Sequence, residues 1–400
     1  MSDVSEIPVS FNKTLLDKAL LRYTNDPSLQ LIDYNIQDNS ADISDHFSSI
    51  MFKVNLHYKR DSASNDDNVH EINAIVKTLP DVPDQSHNTH LQYVTETAQF
   101  DTELKVYEKI LPKIDSMLYG MGLNSVAPRQ IYQTNHNAPI PILIMEDMVS
   151  LGYTTIKDRR QISFDAAKML IGKLAQLHAT SFVLDKQMNE TVGQLDSIYF
   201  DFHQDISYCE DMDKCIAMMK QFDGFENIVE KLEGKTEELF ETVRNLYYSP
   251  NDAACKVLCH GDMKFQNTLL KTNGGEVANG IFVDFAYANF HSPAIDLFEF
   301  LYKVPALDVI IHRKHRDELI NHYMNMFGTV LTGAAFERVD ETIENVKNEM
   351  DRCDELQLWF LMFLVVYYMD TFDEDSEEDT EILDYEKTWL KTVLGELLKC

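Results

Sequence analysis

The chain has 400 residues, 44% of them apolar and 10% aromatic, with 11 prolines and 14 glycines. This excludes wholesale disorder and a linker-rich protein, and it predicts compact, helix-rich lobes with more than one core. A formal charge of −31, with no basic cluster denser than Arg313-Lys314-His315-Arg316, argues against nucleic acid and anionic membrane surfaces as partners.

Residues 12–23 place Leu15, Leu16, Ala19, Leu20 and Tyr23 at helical spacing and predict an amphipathic helix. From Leu29 the pattern turns to strands. Residues 50–58 and 71–77 read as two β-rich strands joined by a polar hairpin tip over residues 60–68. Residues 100–111 read as a helix, and 127–132 and 140–145 as two more strands. Beyond Met148 helices are predicted over residues 164–184, 212–219, 228–247, 307–327, 336–348, 355–371 and 383–399. One strand–loop–strand region near residues 257–285 interrupts them. Residues 370–381 hold eight carboxylates in twelve positions and predict a solvated loop. The expected fold is α+β and two-lobed. A small antiparallel β lobe with one packed helix takes residues 1–145, and a large, mostly helical lobe takes 146–400.

The six cysteines, at 209, 215, 255, 259, 353 and 400, do not repeat at zinc-ribbon spacing. Met1-Ser2-Asp3-Val4-Ser5-Glu6 has neither the basic region nor the apolar core of a secretory signal. Reduced thiols and a cytoplasmic location are therefore expected. The longest apolar run, residues 358–369, is 12 residues, too short to cross a bilayer, and reads as a buried helix.

The chemistry is concentrated in two segments. The first is Val257-Leu258-Cys259-His260-Gly261-Asp262-Met263-Lys264-Phe265-Gln266-Asn267. The second is Gly280-Ile281-Phe282-Val283-Asp284-Phe285. Phosphoryl transfer to a hydroxyl needs a carboxylate to accept the hydroxyl proton, and an amide oxygen and a second carboxylate to hold magnesium on the nucleotide phosphates. Asp262, Asn267 five positions on and Asp284 22 positions on supply that set. By itself, His-Gly-Asp is equally well a turn with a capping aspartate. The later asparagine and aspartate favour the functional reading.

Lys77 ends an apolar strand, so its ammonium can enter a cleft while its stem packs. Glu103, framed by Phe100 and Tyr107, is placed to pair with it. An ordinary surface lysine and glutamate are the plainer alternatives. The strand ending Ile144-Met145-Glu146-Asp147-Met148 is expected to connect the lobes, with backbone at Glu146 and Met148 meeting an adenine edge. His178 is expected to brace the catalytic loop and Asp296 to accept bonds from its backbone. His260 is either a loop brace or a phosphate contact.

These pieces, in this order, resemble the ecdysteroid-kinase-like family, an insect-rich group with a choline-kinase-like domain. It is related to choline kinases and aminoglycoside phosphotransferases within the protein-kinase-like superfamily. Val76 to Pro80, Phe100 to Tyr107, Met145 to Met148, Leu174 to Ser181, His260 to Asn267, Val283 to Phe285 and Pro293 to Leu301 carry the resemblance. It implies Asp262 as the base, Asn267 and Asp284 as metal ligands and Lys77 as the phosphate lysine, with ATP and Mg2+ as cofactors. Three positions depart from the family pattern. The nucleotide-covering stretch Ser44-Asp45-His46-Phe47-Ser48-Ser49, where Ser48 is expected near phosphate, has no glycine. Ala286 stands where glutamine is common, and Met263-Lys264 where Leu-Trp is common.

The expected activity is ATP- and magnesium-dependent transfer of a phosphoryl group to a small hydroxylated, lipophilic acceptor, such as an ecdysteroid or a related steroid or xenobiotic. A ligand-binding pseudokinase and an amino-alcohol kinase of the choline type are the alternatives. A hydrolase built on His260 and Asp262 is weaker, since no Gly-x-Ser-x-Gly elbow is present. Oligomeric state has no signal.

Overall fold

The computed structural model describes residues 11–38, 49–60, 69–79, 99–134, 140–188, 205–248, 254–369 and 377–399. Helix α1 (Lys13–Thr24) starts at Asn12, whose side chain accepts from the Leu15 N–H at 3.3 Å, and ends at Asn25 in the left-handed region. Strands β1 (Leu29–Asp38), β2 (Ile50–Arg60), β3 (His70–Thr78), β4 (Gln130–Gln133) and β5 (Ile142–Glu146) form an antiparallel sheet in the order β1-β2-β3-β5-β4. Between β3 and β4 lie α2 (Gln99–Lys105), a π turn (Val106–Ile110) and α3 (Leu111–Gly120).

Strand periodicity decides what each sheet face does. Phe52, Val54, Leu56, Ala74, Val76, Ile142 and Ile144 point to one face and form a core with Leu16, Ala19 and Leu20 of α1. The residues between them point the other way. Leu143 and Met145 join the large core with Phe100, Leu104 and Tyr107. Lys77 follows Val76 and pairs in register with Leu143, so it too faces that side.

After β6 (Tyr153–Thr155) come α4 (Phe164–Met188), α5 (Asp205–Met219), α6 (Glu226–Leu232) and α7 (Thr236–Tyr248). Then β7 (Val257–Cys259), β8 (Thr268–Asn273), β9 (Glu276–Phe282) and β10 (Asn289–His291) interrupt the helices. They form a β6-β8-β9 sheet and a β7-β10 pair. The rest is helical: α8 (Pro293–Lys303), α9 (Leu307–Ile310), α10 (Arg313–Gly333), α11 (Val339–Arg352), α12 (Glu355–Met369) and α13 (Glu377–Leu397). No helix of the described residues is long and apolar enough to cross a membrane. No disulfide joins the cysteines among the described residues.

Several elements differ from the sequence expectation. The single helix expected over 228–247 is two, α6 and α7, because Gly234 adopts φ 72° between them. The helix expected over 307–327 also breaks, into α9 and α10. His315 and Arg316 fold back onto the carbonyls of Val309 and Ile310, which terminates α9 with side-chain donors. Helix α8 was not expected. Pro293 to Tyr302 are all buried, so no polar stripe marks it as a helix. Helix α13 starts at Glu377, inside the stretch expected to be loop. The hairpin tip over 61–68 lies outside the described residues.

His291, at the end of β10, ties this region to pH. Its Nδ1 accepts from the Ser292 N–H at 2.6 Å and its Nε2 lies 3.1 Å from the Tyr247 carbonyl, so the buried ring sits as the neutral Nε2–H tautomer. Burial holds its pKa down to about 4. The unfolded chain therefore takes up this proton first. The associated stability is present above an unfolded pKa of about 6.5 and is lost as pH falls toward 4. Between pH 7 and pH 5 the residue should account for about 2 kcal/mol of lost unfolding free energy. Urea unfolding at both pH values checks this: the difference should shrink by that amount in His291→Gln, and an equal difference in both proteins would refute it.

Candidate active site

The site begins with one lysine. Lys77 is carried inward by the parity of β3, and its Nζ lies 2.7 Å from Glu103 Oε2 and 2.7 Å from Asp284 Oδ1. Glu103 comes from α2, where Phe100, Leu104 and Tyr107 are buried beside it. The plain surface readings of Lys77 and Glu103 are excluded, since both are buried. Burial pulls the Lys77 pKa down, but Asp284 and Glu103 outweigh it and the ammonium is held above its ordinary value. Burial pushes the Glu103 carboxyl up, with Lys77 opposing. Burial would also raise Asp284, but the Lys77 ammonium prevails and holds it at about 2. Asp284 is thus ionised at any neutral pH.

Asp284 follows β9 with φ 67°, a left-handed conformation that an aspartate tolerates better than most residues. Its neighbours fix that turn. The Val283 N–H donates to the Asn267 carbonyl at 3.0 Å, and Tyr107 meets Phe285 edge-on at 5.9 Å. The Val283 carbonyl lies 2.9 Å from His260 Nε2. His260 is fully buried, and its Nδ1 lies 3.4 Å from the Asp262 N–H. With both ring nitrogens directed within the chain, His260 has the geometry of the loop brace rather than of a phosphate contact.

The loop carrying Asp262 leaves β7 and turns at Gly261, φ 81°. A Cβ there would run into the Tyr287 carbonyl and come within 3.1 Å of Asn289 Nδ2, so only glycine fits. The loop backbone is held from α8. Asp296 accepts from the His260 N–H at 2.5 Å and the Gly261 N–H at 3.0 Å, and Glu299 accepts from the Met263 N–H at 3.0 Å. Asp296 also lies 3.0 Å from His178 Nε2, and His178 Nδ1 lies 2.8 Å from the Tyr323 hydroxyl. His178, Cys259 and Asp296 could be mistaken for a metal site, because their donor atoms lie within 4.8 Å of one another. The Cys259 thiol, however, donates to the Ser292 carbonyl, and Asp296 is occupied by N–H groups.

Asn267 ends a short 3-10 turn, Phe265–Asn267. Its Nδ2 donates to the Asp262 carbonyl at 2.9 Å and to Asp262 Oδ2 at 3.0 Å. Its Oδ1 is the atom left for a cation. One amide oxygen and one ionised carboxylate suit magnesium, which takes few protein oxygens when phosphate and water supply the rest.

The connector between the β lobe and the helices is tied on one side. The Glu146 N–H donates to the Arg129 carbonyl at 3.0 Å, and the Asp147 N–H to Asn73 at 3.1 Å. The Glu146 carboxylate accepts from the Tyr23 hydroxyl at 2.5 Å and from the Arg129 N–H at 3.2 Å, so this side chain serves α1. Met148 packs on Leu269 and Ile281, and its N–H bonds to nothing among the described residues. Ser48 lies outside the described residues.

Two features had no clear signal in the sequence. Glu299 is three residues past Asp296 on α8, a spacing that shares a face, but the helix itself was not recognised. Tyr23 is 123 residues from Glu146, and nothing local announces their contact.

A search of curated proteins finds no match. Solved structures resemble the chain distantly. A Plasmodium vivax ethanolamine kinase is 15% identical with a TM-score of 0.37, over 96% of this chain and 89% of that one. The choline kinase LicA from Streptococcus pneumoniae is 12% identical with a TM-score of 0.34, over 94% and 98%. The gentamicin complex of APH(2")-IIa is 12% identical with a TM-score of 0.38, over 91% and 97%. Likenesses this distant carry no weight for the site. A model of the ecdysteroid kinase-like family, in contrast, matches residues 44–335, a span that holds Lys77, Glu103, Asp262, Asn267, Asp284 and Asp296, and the chain belongs to that family.

Proposed function

We propose that the chain is an ATP- and magnesium-dependent small-molecule kinase that transfers the γ-phosphoryl group to a hydroxyl of a lipophilic acceptor, an ecdysteroid or a related steroid or xenobiotic. The observation that carries this reading is the convergence of Lys77 on Glu103 and Asp284 beside a loop where Asn267 holds Asp262. These residues come from β3, α2, the loop after β7 and the turn after β9. A chain with no use for nucleotide would have little reason to hold Lys77 and Glu103 as a buried ion pair beside the half-exposed Asp284 carboxylate, because each buried ion costs several kcal/mol in lost hydration.

In this reading Asp262 accepts the proton of the acceptor hydroxyl, and Asn267 orients its carboxylate. Placement matters more than basicity, because phosphoryl transfer develops little charge on the attacking oxygen. Lys77 binds nucleotide phosphate and Glu103 holds it extended. Asn267 Oδ1 and Asp284 hold magnesium, which neutralises charge on the phosphates. The N–H of Met148 meets the adenine edge.

A binding module without turnover remains the competing reading, motivated by the glycine-free stretch of residues 44–49. Thermal-shift titration separates the two: stabilisation by an ecdysteroid with none from Mg-ATP favours the binding module.

Purified protein should consume ATP with one acceptor class from a panel of ecdysteroids, other sterols, glycosides and amino alcohols. Asp262→Asn should lower that turnover at least about 100-fold while Mg-ATP affinity stays within about threefold. Turnover surviving within a few fold would remove Asp262 from the role of base. Asp284→Ala should weaken nucleotide binding at least about tenfold in magnesium and have little effect in EDTA. Equal affinities for wild type and variant in magnesium would reject Asp284 as the ligand.

A further inference from the structure

Helix α1 lies outside the part of the chain that matches the family model, which begins at residue 44. Its last turn nevertheless reaches the connector. The Tyr23 hydroxyl donates to Glu146 Oε1 at 2.5 Å, and the Arg129 N–H donates to Glu146 Oε2 at 3.2 Å. The Arg129 guanidinium stands over the Tyr23 ring, 4.5 Å from its centre, and donates to the Tyr23 carbonyl at 3.4 Å. The Arg129 carbonyl in turn accepts from the Glu146 N–H at 3.0 Å. Residues from α1, from the segment before β4 and from the end of β5 thus close a ring of contacts.

We propose that Tyr23 is a positioning residue for nucleobase recognition: through Glu146 it sets where the connector presents the Met148 N–H, and so how well the chain tells adenine from other purine bases. This rests on the kinase reading. Glu146 and Met148 are two peptide units apart. The backbone between them is held by the bonds at Glu146 and by the Asp147 N–H, which donates to the Asn73 carbonyl at 3.1 Å. The Met148 N–H, next along, bonds to nothing among the described residues. A donor selects one base over another only when it is held to about 0.5 Å, because a displaced donor serves a neighbouring ring atom instead. Backbone pairing ties the connector to the sheet. The Glu146 side chain adds a tie to a helix packed on the sheet face opposite Lys77, which leaves the cleft side to the nucleotide.

The same bond disposes of a charge. An unheld carboxylate at the start of the connector would add to the repulsion of polyphosphate by a chain whose net charge is −31. The bond does not depend on pH in the working range. Burial, then the hydrogen bond to Glu146 and the charge of that carboxylate, raise the Tyr23 pKa against the opposing Arg129, so the phenol stays protonated and remains the donor.

Calorimetric titration of the full chain with Mg-ATP and with Mg-ITP tests this without an acceptor. The two nucleotides differ only at the six-position and N1 of the base, so phosphate contacts cancel in the ratio of their affinities. The wild-type chain should prefer ATP at least about tenfold. Tyr23→Phe keeps the ring under Arg129 and removes the hydroxyl. It should weaken ATP binding about fivefold, a fraction of one charge-assisted bond, and ITP binding less than about twofold. In a Glu146→Gln background the same substitution should move the ratio by less than about 1.5-fold, because its route is already cut. Lys13→Met is the control for helix attachment. It removes the bond from the Lys13 ammonium to the Leu31 carbonyl, 2.7 Å long, at the other end of α1, and should leave the ratio unchanged. An unchanged ratio in Tyr23→Phe overturns the assignment. So does an equal fall in Lys13→Met, which would make α1 a general support, and so does a full further loss in the Glu146→Gln background. Equal binding of ATP and ITP by the wild-type chain also overturns it and leaves the kinase reading intact, whereas binding of neither nucleotide overturns both.

Discussion

Asp296 is fully buried, and three nitrogen groups converge on its carboxylate: the N–H groups of His260 and Gly261 and the Nε2 of His178. Burial alone would raise its pKa, yet His178, its hydrogen bond first, then its charge and that of His260, together with the Gly261 N–H, brings it below the ordinary value. Burying a lone carboxylate costs several kcal/mol, and hydrogen bonds to a charged group return about 1.5–3 kcal/mol each. The balance therefore closes only when all three donors are in place. That requirement fixes the backbone of the loop, and the loop fixes Asp262. It also explains why α8 is buried on every side: a helix that supports a loop from below must itself be enclosed. Tyr323 of α10 extends the chain of bonds through His178, so the position of Asp262 is referred back to the middle of the helical region.

The second organising element is electrostatic. In an acidic protein the cleft gathers Lys77 and Lys264 against Glu103, Asp262 and Asp284. Asp262 and Asp284 are each met by a lysine, and the two lysines differ in burial. Lys77 is nearly enclosed, its side chain 7% exposed. Lys264 is open. An enclosed ammonium is a fixed point in the structure, whereas an open one can exchange partners.

Much of the site could be read from local pattern. The alternation Val76-Lys77 on a half-buried strand told which way the lysine faces, and Phe100, Glu103 and Tyr107 at helical spacing told which face of α2 meets it. The 2.0 period is carried by the wet first half of β3, where His70 and Glu71 are exposed, whereas Lys77 itself lies where both faces are dry. The same logic failed for α8, where both sides are dry and no period survives. It failed at residues 307–312, where side chains of α10 end α9 by folding back onto its carbonyls. It also failed for the link between Tyr23 and Glu146, which depends on how α1 crosses the sheet and not on any local composition. Gly234 was legible in principle, since a glycine after an amphipathic run is a stop signal. Lys264 was visible as a departure from pattern, but its partner was set by a loop geometry that spacing alone does not give.

Gly261 meets Tyr287 backbone to backbone, and the Asp262 and Asp284 loops are thereby one steric unit. Neither can be rebuilt without the other. A lineage that acquires new acceptors must leave this pair of loops alone and change the walls around them. Variation that tracks substrate range should therefore collect on the helices that face the cleft, while the two loops evolve as a single locked part.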